Sequence, residues 1–132
     1  MDAAQALADL TEISSQIETA VLFDESGSVL ASTLADETRA TELARAAAEL
    51  LDAAAEVQPG GGTLTQLDAA TLDGSVFVVR DGERRIVATT APEPTVGLVF
   101  YDLKSALRNV GEEPAKPKPR RPRKKKVEGD AT

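Results

Sequence analysis

The chain has 132 residues, enough for one small domain with a single hydrophobic core. It contains no cysteine and no histidine, which excludes disulfides, thiolate nucleophiles, most zinc sites and the usual general base near neutral pH. Enzymatic functions are therefore disfavoured. The sequence shows neither the basic start and apolar run of a secretory leader nor the roughly 18 apolar residues of a membrane span, so we expect a cytoplasmic protein.

The net charge of −7 combines two opposite parts of the chain. Residues 1–111 contain 7 Lys or Arg and 18 Asp or Glu, a net charge of −11, whereas residues 112–132 contain 8 and 4, a net charge of +4. We predict a folded acidic domain over residues 1–111 and a disordered basic tail over residues 112–132.

A helix and a hairpin are predicted at the N-terminal end. Apolar residues recur at spacings of three and four from Ala3 to Ile17, a pattern typical of one helical face, although no capping residue marks the start of the helix. Two apolar runs, residues 20–23 and 29–31, flank the glycine-containing turn of residues 24–28 and predict a pair of strands.

A second helix is predicted from a cap at Thr38 to about Val57, because Pro59 and the three glycines after it would end a helix. Its polar residues form one narrow stripe, which consists of Glu42, Arg45, Glu49, Asp52 and Glu56. With ~100° per residue, this stripe leaves roughly 220° of the circumference to alanine, leucine and valine, against the ~100° that a surface helix needs. One sheet cannot cover so wide an apolar face.

The wide apolar face predicts two stripes on the second helix. One stripe is expected to pack on the chain's own sheet and consists of Leu43, Ala47, Leu50, Ala54 and Val57. The other is a seam of small residues that would let a second helix approach closely, and it consists of Ala44, Ala48, Leu51 and Ala55. The alternative is that the alanines reflect helix propensity alone and remain exposed.

Three strands and a last helix complete the predicted elements. Residues 64–72, 75–80 and 85–90 are typical of strands, and two Asp-Gly turns join them. Thr95 is then expected to cap a helix that ends at Gly111. The apolar face of this helix consists of Val96, Val99, Phe100, Leu103, Leu107 and Val110.

The apolar pattern of the strands predicts how they are arranged. The first, fourth and fifth strands are apolar on consecutive residues, so helices should cover both faces of the sheet. The third strand is more polar and belongs at an edge, where its open ladder can pair with another chain. The prediction is an α/β fold with a five-stranded antiparallel sheet flanked by helices, in the order α-β-β-α-β-β-β-α.

Three stretches resemble the Roadblock family, the dynein light-chain type that is also widespread in bacteria. The first is AVLFDESGSVLAS, residues 20–32, which is similar to the first hairpin of that family. Residues 76–82 with residues 86–90 look like its last hairpin, and residues 97–103 look like the start of its last helix. The resemblance covers about residues 3–111, where the order and lengths of all eight elements also fit.

The resemblance implies a three-layer Roadblock/profilin-like fold and a homodimer in which the second helices pack together and the third strands join two sheets. We therefore expect the self-association surface to include Ala44, Ala48, Leu51, Ala55, Leu67 and Ala69. The family also implies a binding platform without an active site, which recruits or regulates Ras-like GTPases in bacteria and serves as an adaptor in eukaryotic complexes. It has no universal catalytic motif, so no residue here inherits a chemical role.

Three short motifs have both a structural and a functional interpretation. The glycines at positions 60–62 are interpreted as a flexible connection, since no lysine follows as in a phosphate-binding loop. The acids at positions 24–25 and 36–37 lack the pattern of a calcium loop and are interpreted as solvated turn residues. Arg84 and Arg85 are interpreted as a soluble strand entry, with contact to a partner's carboxylates or phosphates as the alternative.

The tail contains the run KPKPRRPRKKK, residues 116–126, with 8 cations and 3 prolines among 11 residues, and it cannot form a core. We expect it to bind an anionic membrane or nucleic acid. The residues concerned are Lys116, Lys118, Arg120, Arg121, Arg123, Lys124, Lys125 and Lys126. The alternatives are that the tail folds back onto the acidic domain or serves solubility alone.

Together these features predict a non-catalytic homodimeric scaffold or regulator that binds a Ras-like small GTPase or a related NTPase, with no cofactor, metal or small-molecule substrate. One alternative is a small-molecule sensor of the profilin-like or PAS-like type, which would need a pocket with converging polar groups. Another is a nucleic-acid or membrane binder driven by the tail, for which the folded domain supplies two copies of the tail.

Overall fold

The computed structural model describes residues 2–60 and 63–111. Its elements are α1 (Ala3–Ile13), β1 (Ile17–Asp24), β2 (Val29–Ser32), α2 (Glu37–Val57), β3 (Gln66–Ala70), β4 (Ser75–Asp81), β5 (Arg84–Thr90) and α3 (Val96–Gly111). This is the predicted order. Among the described residues, no helix combines the length and the apolar character needed to cross a membrane.

The five strands form one antiparallel sheet in the order β2-β1-β5-β4-β3. β1 and β5 lie side by side near the middle, with Val21 opposite Val87. β3 lies at one edge and pairs with β4, from Gln66 opposite Val79. The predicted edge position of β3 is therefore confirmed.

Helices cover both faces of this sheet, as the consecutive apolar residues of three strands predicted. On one face, α1 and α3 cover side chains that include Leu22 and Phe77. The rings of Phe77 and Phe100 meet edge to face there, with centroids 5.0 Å apart. On the other face, α2 covers side chains that include Val21 and Val87.

Two aspartates cap the first two helices, at positions that were not predicted from the sequence. The carboxylate of Asp2 accepts a hydrogen bond of 2.8 Å from the backbone N–H of Gln5, so α1 has a cap where none was predicted. α2 is capped by Asp36, which accepts hydrogen bonds from the backbone N–H groups of Thr38 and Arg39. The prediction of Thr38 as the cap is therefore wrong, because a carboxylate two residues earlier satisfies these free N–H groups and favours the helix dipole.

The turn between β3 and β4 depends on a glycine. The φ of Gly74 is +157°, and a Cβ at this position would collide with the carbonyl oxygen of Thr90. The β3–β4 turn therefore lies directly against the end of β5, where only glycine fits without a shift of the backbone.

Candidate self-association surface

α2 presents a stripe of small residues to its own sheet. The stripe consists of Ala40, Ala44, Ala47 and Leu51, which are all buried. They pack on the sheet face that contains Phe23 and Val78. Because three of the four are alanines, the helix axis can approach the sheet closely while valine and phenylalanine fill the space between them.

A second apolar stripe of α2 is only partly covered by the described chain. Its members recur at spacings of three and four and are Leu43, Ala46, Leu50, Ala53 and Val57. Leu43 and Leu50 are half-buried, the two alanines are exposed, and Val57 is 82% exposed. We call these five residues the α2 seam, since this spacing is the one with which two helices pack along each other.

The edge of the sheet on the α2 side is also incompletely covered. α2 packs mainly over β1, β2 and β5. Leu67 and Ala69 of β3 lie opposite Val78 and Val76 in the ladder, so they face the same side of the sheet as α2. Leu67 and Val76 are half-buried and Ala69 is exposed.

β3 leaves one row of backbone N–H and C=O groups open at the sheet edge. Its single charged residue, Asp68, is exposed and lies opposite Phe77, on the α1 and α3 side. The edge therefore has little protection against pairing with another strand. Together, the α2 seam and the α2 side of β3 form the surface that best fits a second copy of the chain.

Solved structures share this arrangement of elements. The Roadblock/LC7 domain from Streptomyces avermitilis matches with a TM-score of 0.75 and 18% sequence identity, over 84% of this chain and 96% of that one. The chain has the Roadblock/LC7 fold. The gliding protein MglB from Thermus thermophilus matches with a TM-score of 0.62 and 20% identity, over 82% of this chain and 84% of that one. An MglB with a tetrameric arrangement matches with a TM-score of 0.63 and the same identity and coverage.

No protein-family model and no curated protein matches the sequence. The structural matches at 18–20% identity show the fold, and at this level they confirm the resemblance to Roadblock proteins that the sequence displayed.

Within this Roadblock/LC7 fold, two residues predicted for the interhelical seam have another role. Ala44 is 0% exposed and Leu51 is 3% exposed, because both face the chain's own sheet. Their assignment to a seam with a second helix is therefore wrong. Of the stripe predicted to face the sheet, Ala47 is buried there and Leu43 and Leu50 are half-buried against the same core, whereas Val57 is exposed, so the prediction is wrong only for Val57 among these four.

The remaining predicted interface residues lie on α2 and on β3. Ala48 is half-buried and Ala55 is exposed. The helical rotation places both of them roughly 140–160° from Leu50, on the other flank of α2. Leu67 and Ala69 lie beside the open edge, and their place in a self-association surface stays a prediction.

One signal in the sequence could have distinguished the two stripes of α2. The α2 seam contains the longer side chains Leu43, Leu50 and Val57, whereas the stripe against the sheet is almost entirely alanine. A strand face that already contains phenylalanine and valine leaves room mainly for small helix residues. The size of the strand residues therefore indicates which stripe of α2 faces the sheet, whereas the width of the apolar arc alone does not.

The acids singled out in the sequence have structural roles. The carboxylate of Asp24 accepts hydrogen bonds from the Ser26 hydroxyl and from the backbone N–H groups of Ser26 and Ser28. The Ser26 hydroxyl in particular lowers the pKa of Asp24 below its ordinary value of 3.8. Asp36 caps α2. Within the part of the chain that the structure describes, no group of three or more acidic residues is placed to hold a metal ion.

The structure describes only some of the residues in the other predicted motifs. Arg85 donates a 3.4 Å hydrogen bond to the carbonyl oxygen of Glu83 in its own turn, and Arg84 lines an open groove beside α3. Gly61 and Gly62 of the glycine run lie outside the described residues, and so do all eight cations of the tail.

Proposed function

We propose that the chain is a self-associating scaffold that regulates a Ras-like small GTPase or a related NTPase and supplies no complete active site of its own. The observation that carries this proposal is a Roadblock/LC7 fold with a partly exposed apolar stripe on α2 and, on the same side of the sheet, apolar residues of an edge strand, β3, whose outer backbone groups are open. An apolar helix flank and an open strand edge suit recognition by another folded chain more than they suit a small molecule.

Self-association is supported by two further observations. Ala46, Ala53 and Val57 of the seam would remain in water in an isolated chain, and joining two β3 strands would satisfy the open backbone groups at both edges at once. One structural neighbour is an MglB with a tetrameric arrangement, so this fold can assemble into oligomers.

The partner class is proposed from the resemblance to Roadblock proteins and from the MglB neighbours. A homodimer would offer one continuous surface made from two copies of α2 and β3, on which an NTPase can bind. The chain would act by holding the NTPase in one conformation, since binding to one of two states shifts the population toward it.

The experiment uses a Ras-like GTPase from the same organism, loaded with GDP or with a GTP analogue that is not hydrolysed. We expect calorimetry to show binding to one nucleotide state in preference to the other, and the hydrolysis rate of the GTPase to change when the chain is added. GTP turnover by the chain alone, or equal affinity for both nucleotide states, would contradict the proposal.

We also propose that the tail attaches the chain to anionic surfaces. Its eight cations within residues 116–126 follow closely after α3, so two chains in a dimer would each present one tail. A dimer with two weakly binding tails would bind such a surface more tightly than a monomer, because the first contact raises the effective concentration of the second tail at the surface.

A further inference from the structure

A small groove of about 160 Å³ lies between the end of β4 and the C-terminal half of α3. Its lining consists of Thr65, Val79, Arg80, Asp81, Lys104 and Arg108. We call it the cationic groove, because three of these six residues are cations and one is an acid.

This concentration of positive charge contrasts with the rest of the domain. Residues 1–111 have seven Lys or Arg, and five of them lie at the β4–β5 turn or on the nearby part of α3. The five are Arg80, Arg84, Arg85, Lys104 and Arg108. With the four acids at the two adjacent turns, Asp24, Glu25, Asp81 and Glu83, this end has a net charge of +1, whereas the remainder of residues 1–111 has a net charge of −12.

The cationic groove has unused capacity to bind an anion. Lys104 and Arg108 are exposed and stand one turn apart on α3, where like charges repel each other. The guanidinium of Arg108 donates to the Ser105 hydroxyl at 3.3 Å and retains further N–H donors. Asp81 balances one of the three cations, and a bound anion would balance the others.

The ligand class follows from the size and chemistry of the groove. A pocket that takes a whole drug-sized molecule measures about 300–1,000 Å³, so this groove fits one small anionic group and leaves the rest of its molecule outside. Guanidinium and ammonium groups bind phosphate oxygens through charge-assisted hydrogen bonds, and the Thr65 hydroxyl adds a further donor.

The position of the groove identifies the source of the phosphate. Arg108 and Asp81 also line an adjoining open groove of about 690 Å³ that reaches Gly111, the last described residue of α3. The cationic run at residues 116–126 therefore begins only a few residues in sequence after Gly111 of the adjoining groove. We propose that the cationic groove binds the phosphate of an anionic phospholipid headgroup while the tail lies along the same membrane surface.

The test compares two full-length double variants with the same change in net charge, from −7 to −9. Lys104→Gln with Arg108→Gln alters the cationic groove, whereas Arg39→Gln with Arg45→Gln removes two exposed cations from α2. The assay is sedimentation with vesicles of phosphatidylcholine and phosphatidylglycerol at fixed salt. We expect the groove variant to bind about 30-fold more weakly than the wild type and the α2 variant to change less than about twofold, since each of the two groove cations contributes about 1 kcal/mol at an anionic surface.

A third full-length variant separates this inference from the proposed role of the tail. Lys124→Gln with Lys125→Gln and Lys126→Gln lowers the charge of the tail and leaves the groove intact. If this variant binds vesicles more weakly while the groove variant binds normally, the inference about the groove is overturned and the tail is the membrane-binding element. If the groove variant binds more weakly while this variant binds normally, the groove binds the membrane and the tail does not contribute. Neither result bears on the GTPase proposal, because no partner is present.

Three other outcomes would overturn the inference. Equal losses in the groove and α2 variants would show a dependence on net charge alone. Binding of inorganic phosphate that is lost in the groove variant, while vesicle binding by that variant is unchanged, would identify free phosphate as the ligand. A groove variant that binds vesicles normally but duplex DNA weakly would identify a nucleic acid instead. All substituted side chains in the groove variant are exposed, and circular dichroism verifies that the fold is intact.

Discussion

Asp24 acts at the end of β1 as an organiser of the first hairpin. One of its carboxylate oxygens accepts three hydrogen bonds from Ser26 and Ser28, and the backbone carbonyl of Asp24 accepts another from Gly27. Gly27 has a φ of +91°, which an L side chain rarely adopts, and this closes the turn. The Asp24 carboxylate therefore stabilises the turn. Because one of its oxygens already accepts these three hydrogen bonds, it is better suited to this role than to binding a cation.

The lowered pKa of Asp24 makes hairpin stability depend on pH. A carboxyl group whose pKa is lower in the folded state stabilises the fold above its unfolded pKa, and this contribution is lost as the pH falls through the folded pKa. We expect Asp24→Asn to lower the free energy of unfolding near neutral pH, and the difference from wild type to shrink as the pH falls from about 5 to about 2. Denaturant unfolding across this range measures it. A difference that is constant with pH would contradict the assignment, and Ser26→Ala should reduce the same pH dependence.

At the scale of the element, α2 owes its start to Asp36. We expect Asp36→Ala to lower the free energy of unfolding by about 1 kcal/mol, because two backbone N–H groups lose their acceptor. Thr38→Ala is the matched control and should change it little, since Thr38 lies inside the first turn. Thermal unfolding of the two variants decides between the caps, and a larger loss for Thr38→Ala would restore the cap predicted from the sequence.

Replacing alanine by leucine is expected to have different effects at buried and exposed positions of α2. Ala44→Leu places three more heavy atoms against the sheet, and we expect a loss of about 1–3 kcal/mol in the free energy of unfolding from overpacking. Ala55→Leu changes an exposed position of α2 outside the seam and should leave that free energy nearly unchanged. Denaturant unfolding measures both. Equal effects would mean that α2 does not present the faces described.

Local patterns were sufficient to predict the element order, both covered faces of the sheet and the edge position of β3. The orientation of α2 was not predictable from periodicity, because its apolar arc contains two stripes and the choice between them depends on the bulk of Phe23 and Val78 beneath it. The cationic groove escaped prediction for a different reason. Arg80 and Arg108 are separated by 28 positions in the sequence and meet only because α3 packs on β4.

At the scale of the whole molecule, charge is distributed unevenly along the chain and over the fold. The domain is acidic except at the end that contains the cationic groove, and the basic tail follows that end in the sequence. An anionic surface would attract this end and repel the remainder, so charge alone would orient the molecule.

We expect binding of the full chain to anionic vesicles to weaken steeply as salt rises, because exposed charges are screened over about 10 Å at 0.1 M. Replacing the eight cations of residues 116–126 by glutamine should remove most of the binding and leave the fold and the dimer unchanged. Vesicle sedimentation at low and moderate salt gives the answer. Salt-independent binding, or equal binding by both chains, would leave the tail with a role in solubility alone.

Self-association through the α2 seam can be tested with two alanines of α2. Ala46 lies in the seam and Ala55 on the other flank, both are exposed, and glutamate at either position changes the charge equally. Association would bury the carboxylate of Ala46→Glu without a partner, which is costly. By sedimentation equilibrium at micromolar concentration, we expect wild type and Ala55→Glu to be dimers and Ala46→Glu to be a monomer. Dimers of Ala46→Glu with monomers of Ala55→Glu would contradict the account.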